Sequence, residues 1–170
     1  MSIAPTPTLL LVDIPNQRLI QTGAGEDARL FTVSTSRNPP SCRADSFGTP
    51  WGLHAVVEKH GEGAPAGTVF RGRRSVGSTF GELPADQQAG NLITSRILRL
   101  RGLEPGLNAG PERDSYDRYI YIHGTNHEGR LGRPFSGGCI EMANTDIITL
   151  FPEIPKGTLV WIDPPAGARS

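Results

Sequence analysis

The segment 119–142, YIYIHGTNHEGRLGRPFSGGCIEM, constrains the fold of this chain most strongly. Its first five residues alternate tyrosine or histidine with isoleucine, and in a β-strand this alternation places the two sets on opposite faces. We therefore predict a strand over 119–123, with Tyr119, Tyr121 and His123 on one face. Gly124 is predicted to end this strand, because residues 125–136 contain glycine, proline and polar side chains typical of a loop.

Other short apolar runs, separated by turn-forming residues, predict a chain that is mainly β. The strands are expected over 9–14, 18–22, 30–36, 51–59, 68–74, 91–103 and 157–163. In the strand 91–103, Leu98 and Leu100 are expected to face inward, whereas Arg99 and Arg101 face outward. His54 is expected on the surface of the strand 51–59.

The remaining segments predict loops and little helix. Residues 75–90 are interpreted as a loop with a turn of helix, and residues 104–117 as a surface insertion that could wall a substrate cleft. A short helix is expected to begin near Asn144 or Thr145, as N-cap, and to end before Pro152. The prediction is one domain over 1–170, with a frayed tail at 164–170, built as a β-sandwich or barrel-like fold with one or two short helices.

Charge and hydropathy exclude several classes of partner. The 17 lysines and arginines balance the 17 aspartates and glutamates, so no overall field attracts nucleic acid or an anionic membrane. An apolar run of the length that spans a bilayer is absent from the sequence. The first residues lack the basic and apolar regions of a secretion signal, which predicts a cytoplasmic location for the chain as it stands. A periplasmic location would follow if the natural protein carries an export segment ahead of residue 1.

Cys139 and His123 are candidate catalytic residues. A thiol needs a neighbouring imidazole to generate the thiolate, and an attacked carbonyl needs donors for its developing charge, which the amides of Gly138 and Cys139 could supply. A buried cysteine that acts as a small hydrophobe, with a hydrogen-bonded histidine at a strand end, is the simpler alternative. A zinc site that adds His127 is disfavoured, since a spacing of four requires a helix. No metal or cofactor is expected.

The motif around these residues resembles that of a known family. His123-Gly124-Thr125, followed by Ser136-x-Gly138-Cys139-Ile140-x-Met142-x-Asn144-x-Asp146, is similar to the signature of the L,D-transpeptidase catalytic domain, the YkuD type. Residues 12–19, 33–36, 49–52, 98–104 and 156–158 continue the likeness in the order of the family. The resemblance implies the same mainly β domain and a cysteine nucleophile, with His123 as base and with Thr125 or a backbone carbonyl orienting its ring.

Two positions depart from the family pattern. Gly137 stands where the family usually has a second histidine, and Glu141 stands where it has an arginine. The second change replaces a cation that would attract a substrate carboxylate by an anion that would repel one. Arg118 and Arg133 are therefore the candidate cations for that carboxylate, although each could be a solvated loop charge. Glu141 could pair with one of these arginines or meet a substrate ammonium.

Two further residues are candidates for substrate contacts. Tyr121 could pack beside the imidazole or touch substrate, and Ser136 could hydrogen-bond the catalytic loop or the substrate. A core aromatic with a satisfied hydroxyl and ordinary turn chemistry explain the two residues equally well.

The resemblance implies a peptidoglycan stem tetrapeptide, or a muropeptide that carries it, as substrate and partner. Cys139 would attack the carbonyl of the third residue, expel the terminal D-alanine and form a thioester. We expect water to resolve the thioester, which makes the protein an L,D-carboxypeptidase in muropeptide recycling. A crosslinking or exchanging transpeptidase is the alternative, and a wall-peptide binding module without turnover is a hypothesis of a different class. The oligomeric state stays open.

Overall fold

The computed structural model describes residues 5–23 and 26–165, which form ten β-strands and two short α-helices. The strands are β1 Thr8–Asp13, β2 Arg18–Gly23, β3 Glu26–Ser34, β4 Gly52–His60, β5 Thr68–Arg71, β6 Arg74–Thr79, β7 Ile93–Gly102, β8 Tyr121–Thr125, β9 Ile140–Met142 and β10 Leu159–Ile162. The helices are α1 Ala85–Gln88 and α2 Asn144–Leu150, and 3₁₀ turns cover Phe80–Glu82, Glu128–Arg130 and Phe151–Glu153. The mainly β prediction is confirmed.

The strands join into one sheet that closes on itself. Their order is β4-β10-β1-β2-β3-β9-β8-β7-β5-β6, and β4 also pairs with β7, so eight of the strands form a closed ring. The hairpin β5–β6 branches from the start of β7, where Val69 pairs with Thr94. Closure leaves the eight ring strands without a free edge.

The ring encloses the main core. Leu98 on β7 pairs with Ile122 on β8, and Ile122 pairs with Ile140 on β9; all three side chains are fully buried. Ile147 and Leu150 of α2 join the same cluster. Because alternate residues of a strand face opposite sides, the neighbours of these core residues point to the other face of the sheet, beside the β5–β6 hairpin.

The strand predicted over 119–123 is shifted by two residues. β8 begins at Tyr121 and includes Gly124, so glycine does not end it. Tyr119 has a φ of +55°, a left-handed conformation that breaks the extended backbone, and its side chain is 56% exposed. Tyr121 and His123 thus share a face as expected, but Tyr119 does not belong to the strand. Gly124 is required for packing, since a Cβ there would lie 2.7 Å from the carbonyl oxygen of Thr94.

Two side chains predicted on the surface are buried. His54 is fully buried; its Nε2 lies 2.9 Å from Ser115 Oγ, its Nδ1 lies 3.0 Å from Gly52 O, and burial lowers its pKa to about 4. Arg99 is 4% exposed and donates to Glu58 and to the carbonyl of Tyr116. The prediction failed because the sheet has covered side chains on both faces. Leu98 and Leu100 face inward and Arg101 is exposed, as predicted.

Two element boundaries also differ from the prediction. Residues 75–90 contain the short helix α1, as expected, but they also contain most of strand β6, which was not predicted. Helix α2 has Ala143 as its N-cap, and the side chain of Asn144 instead joins a buried network with Thr94, Ser95 and Glu128. Part of the predicted frayed tail, 166–170, lies outside the described residues. Within the described ranges, no helix is long and apolar enough to cross a membrane.

Candidate active site

Cys139 and His123 project from the same face of two paired strands. β8 and β9 run parallel with His123 opposite Glu141, and Cys139 lies immediately before β9, two residues ahead of Glu141. The fold therefore brings the two predicted catalytic residues onto neighbouring strands, with His123 diagonal to Cys139. Within the described parts of the chain, no hydrogen bond joins the imidazole to the sulfur.

The backbone of residues 119–121 holds the sulfur. The amide of Tyr121 donates to Sγ at 3.4 Å, and the thiol is 3.4 Å from the carbonyl oxygen of Tyr119, to which it donates. The Tyr119 carbonyl that accepts from the thiol belongs to a residue with a left-handed backbone conformation. Cys139 is partly exposed and packs against a small apolar cluster that includes Phe70 and Ile97.

The imidazole of His123 is fixed in one tautomer. His123 is 3% exposed, and its Nδ1 lies 2.7 Å from the carbonyl oxygen of Gly124. A carbonyl oxygen only accepts, so Nδ1 must carry the proton and Nε2 keeps the lone pair of a general base. The ring is thus oriented by a backbone carbonyl. The hydroxyl of Thr125, the other candidate for this role, accepts from the amide of His127.

Burial raises the pKa of the Cys139 thiol to about 12. The Tyr121 amide lowers it, the Glu141 carboxylate raises it further, and the Arg118 guanidinium lowers it. At neutral pH the thiol of the free protein is therefore protonated. For this sulfur to act as a nucleophile, a base would have to take the thiol proton during attack.

We expect the alkylation of Cys139 by iodoacetamide to report this pKa. In a Cys42→Ala background, the rate should rise roughly tenfold per pH unit from about pH 7 to pH 10, because only the thiolate reacts and its fraction keeps growing below a pKa of about 12. The rate is measured by intact-protein mass, with circular dichroism as a control for unfolding. A plateau between about pH 7 and pH 9 would show an ordinary or activated thiol instead.

One of the two predicted oxyanion donors is already occupied. The amide of Gly138 donates to Ser136 Oγ at 3.1 Å, and the same hydroxyl donates to the Cys139 carbonyl at 2.6 Å. Ser136 therefore ties the catalytic loop together, as one of its two interpretations expected. Gly138 has a φ of +127°, which disfavours any residue with a Cβ. The hydrogen bonds of the described residues leave the amide of Cys139 available to a substrate oxygen.

An open cleft of about 370 Å³ is lined by Tyr119, whose carbonyl oxygen accepts from Cys139 Sγ; Cys139 and His123 themselves do not line it. Gly137, Ile120 and Tyr119 line its inner end. Its outer wall is rich in acids and comes from the 44–47 loop and the 112–118 segment, the insertion that was predicted to wall a cleft. The charged lining residues are Asp45, Glu112, Asp114, Asp117, Arg113 and Arg118. A cationic group of a ligand is favoured there over an anionic one.

The structure does not free Arg118 to hold a substrate carboxylate. Its guanidinium donates to the carbonyls of Ser41 and Gly48 and to Ser46 Oγ. Arg118 therefore braces the loop that forms the cleft wall. Arg133 is exposed on the loop before Phe135, and no contact of the described residues links it to the sulfur. No contact of the described residues identifies either arginine as a carboxylate site, and that role stays a prediction.

Glu141 is paired with an amide and not with an arginine. Its Oε1 accepts from Asn91 Nδ2 at 2.6 Å, and the carboxylate is 1% exposed beside His123 on the neighbouring strand. Among the described residues its Oε2 has no hydrogen-bond partner. Asn91 was missed from the sequence, because it belongs to the loop before β7 and carries no motif.

The described residues contain no group of three or more histidine, cysteine, aspartate or glutamate side chains placed to hold a metal ion. His127, weighed as a zinc ligand, has its Nε2 3.0 Å from the carbonyl of Gly90. Cys42 is buried beside Trp51, and both cysteines are free thiols.

Comparison with known proteins identifies the domain. The model of the YkuD family, the L,D-transpeptidase catalytic domain, matches residues 7–162. The chain belongs to this family. The curated protein YqjB of Bacillus subtilis (strain 168) is 51% identical over 47 residues, which are 27% of either chain.

Solved structures of L,D-transpeptidases share the fold. L,D-transpeptidase 3 from Mycobacterium tuberculosis in complex with a faropenem-derived adduct superimposes with a TM-score of 0.57 at 16% identity, over 93% of this chain and 60% of that one. LdtMt1 in complex with imipenem gives a TM-score of 0.55 at 16% identity, over 92% and 59%. The chain thus spans about a quarter of the curated relative and about 60% of the solved L,D-transpeptidases.

Proposed function

We propose that this L,D-transpeptidase-family protein cleaves the bond between the third residue and the terminal D-alanine of a peptidoglycan stem tetrapeptide, through a thioester on Cys139. One observation carries the proposal: His123 on β8 and Cys139 just before the paired strand β9 face the same side, and the neighbouring residues Gly137 and Tyr119 line an open cleft. Family membership supports an enzyme of the L,D-transpeptidase type.

The first half-reaction forms the thioester. Cys139 Sγ attacks the carbonyl carbon of the third residue while Nε2 of His123 takes the thiol proton, and the amide of Cys139 stabilises the oxyanion. The tetrahedral intermediate then collapses and the C–N bond breaks. The imidazolium returns its proton to the leaving amine, and D-alanine departs.

In the second half-reaction, we propose water as the acceptor. His123 deprotonates a water that attacks the thioester, and Sγ leaves as the thiol, which releases a tripeptide. Gly137 supports this choice, because a side chain at this position of the cleft would meet nothing within 4 Å. That open space beside the nucleophile admits water where the family pattern has a second histidine. We also propose a cytoplasmic location, where free muropeptides would supply the substrate, and fractionation of the source cells tests it.

A transpeptidase is the second candidate, and the acid-rich wall of the cleft favours it. The carboxylates of Asp45, Glu112, Asp114 and Asp117 could attract the ammonium group of an acceptor peptide. The acceptor amine would then replace water at the thioester. The two activities share the first half-reaction and differ only in its resolution.

The experiment is to incubate the protein with a purified tetrapeptide and to identify the products by mass spectrometry. Tripeptide and D-alanine alone are the result expected for hydrolysis. Dimers, or exchange of D-alanine for an added D-amino acid, would show that the acceptor is an amine and not water. An unchanged tetrapeptide at high enzyme concentration would contradict both activities.

A further inference from the structure

A cation near Cys139 would stabilise a substrate carboxylate, and the sequence motif of this chain lacks the arginine that the family pattern has. The family arginine is Glu141 here, the terminal nitrogens of Arg118 donate to the cleft-wall loop, and no contact of the described residues links Arg133 to the sulfur. A different guanidinium does contact the tyrosines that flank the sulfur. It belongs to Arg73, at the tip of the hairpin β5–β6.

The hairpin turn presents Arg73 at a cost in backbone energy. Arg71 pairs with Arg74, and Gly72 and Arg73 between them have φ values of +53° and +68°. Positive φ at both central positions is the pattern of a type I′ turn, in which asparagine and glycine are preferred. An arginine in this conformation is unusual, so the turn holds a long cationic side chain where a glycine would be easier.

The side chain of Arg73 reaches the residues that hold the sulfur. Its Nη1 donates to Tyr121 Oη at 3.0 Å, and its Cζ lies 5.6 Å from the centre of the Tyr119 ring. Tyr121 and Tyr119 are the residues whose amide and carbonyl contact Cys139 Sγ. The guanidinium is thus held by the side chains of the two residues whose backbone contacts the sulfur.

Arg73 keeps free capacity to bind an anion. Its Nε is 3.7 Å from Glu58 Oε2, too far for a hydrogen bond, and Glu58 already accepts from Tyr116 and Arg99 and contacts His60. The hydrogen bond from Tyr116 is the largest cause that lowers the pKa of Glu58 to about 2, and His60 and Arg99 add to it. The carboxylate is therefore ionised at neutral pH, with these three side chains as partners. Among the described residues, Nη2 of Arg73 has no hydrogen-bond partner, and its side chain is 28% exposed.

The local charge favours an anionic ligand at this position. The guanidinium groups of Arg73, Arg99 and Arg101 gather around the rings of Tyr116 and Tyr119. Within the described residues, Glu58 is the carboxylate that pairs with Arg73 and Arg99. A guanidinium binds a carboxylate through two parallel N–H donors, which fixes orientation as well as charge.

We propose that Arg73 binds the carboxylate of the terminal residue of the peptide, the residue that leaves when the thioester forms. This inference rests on the proposed function, because the terminal carboxylate is separated from the scissile carbonyl by only one residue. Arg73 then selects peptides that end one residue beyond the attacked carbonyl. The acid-rich wall of the cleft repels the same carboxylate and takes the cationic part of the ligand.

The test compares a tetrapeptide that has a free terminal carboxylate with the same peptide as its terminal amide. We expect Arg73→Gln to raise KM for the acid by roughly 10- to 100-fold, the effect of losing a charge-assisted hydrogen bond, and to leave KM for the amide unchanged. Arg73→Lys should restore part of the preference. Arg74→Gln is the matched control, since Arg74 is exposed on the same hairpin.

A purely structural role of Arg73 gives a different result. If the guanidinium only held the hairpin against Tyr121, Arg73→Gln would change KM for the acid and for the amide equally, and the proposal would be wrong. If the wild-type protein turns over neither peptide, the proposed function fails and the carboxylate site is tested by titration calorimetry on Cys139→Ala. Tighter binding of the acid, lost on adding Arg73→Gln, would support the site; equal binding of both peptides would refute it.

Discussion

Replacing Cys139 with alanine is expected to lower kcat/KM for the tetrapeptide by at least about 10⁴-fold, because removal of a nucleophile leaves only the binding and oxyanion contributions. The loss should appear in kcat, while the dissociation constant of the peptide stays close to that of the wild type. Sγ contacts only the backbone of Tyr119 and Tyr121 and a small apolar cluster, so the truncation does not disturb the main core.

Cys42→Ala is the matched control for this variant. Cys42 is also a free thiol, it is 2% exposed, and burial raises its pKa as well. We expect Cys42→Ala to keep wild-type kcat/KM and to lose a small part of its stability, since a buried thiol is replaced by a smaller group. Equal losses in the two variants would mean that Cys139 contributes packing and not chemistry.

Replacing His123 with alanine is expected to lower kcat by about 10²- to 10⁴-fold, the usual effect of losing a general base. The reason is the high pKa of the thiol: without Nε2 to take the proton, attack depends on the small fraction of thiolate. The loss should therefore shrink as pH rises, because hydroxide replaces the base. The measurement is the pH profile of kcat for the variant and the wild type between about pH 6 and pH 10.

His127→Gln is the control for the His123 variant. His127 lies on the loop after β8, with Nε2 3.0 Å from the Gly90 carbonyl, a hydrogen bond that a glutamine amide can replace. We expect wild-type kcat in this variant. If His123→Ala and His127→Gln lost the same activity, or if the loss in His123→Ala did not depend on pH, His123 would not be the base.

The sequence predicted the strand face of His123 better than it predicted the contacts of the loop before Cys139. Alternation from Tyr121 to His123 placed the imidazole correctly, because strand geometry depends only on local periodicity. The hydrogen bond from the Gly138 amide to Ser136 Oγ could not be predicted from the alternation, because the partner of an amide depends on the turn that the loop adopts.

The prediction of surface residues failed where both sides of the sheet are covered. Arg99 follows the alternation that normally indicates a solvent face, yet the ring of Tyr116 stacks on its guanidinium, with Cζ 3.4 Å from the ring centre. Tyr116 comes from the insertion 104–117, whose path no periodic pattern specifies. His54 is buried for the same reason, since its partner Ser115 lies in that insertion.

The sequence could not show which cations come close to the sulfur in space. Arg118 precedes the catalytic strand, so its position in the chain favoured it, but its hydrogen bonds to Ser41 and Gly48 are long-range and invisible in the sequence. Arg73 is far from the motif in the chain and near it in space only because the β5–β6 hairpin branches from β7. Its sequence signal was a single cluster of arginines at a turn.

The most direct test of the account is whether Cys139 becomes acylated. Imipenem is a suitable probe, because its strained lactam carbonyl forms a stable thioester with an attacking thiol. We expect intact-protein mass spectrometry to show one imipenem adduct on the wild type and on Cys42→Ala, none on Cys139→Ala, and peptide mapping to place it on Cys139. A protein that stays unmodified, or that carries the adduct elsewhere, would contradict the nucleophile and favour a wall-peptide binding module.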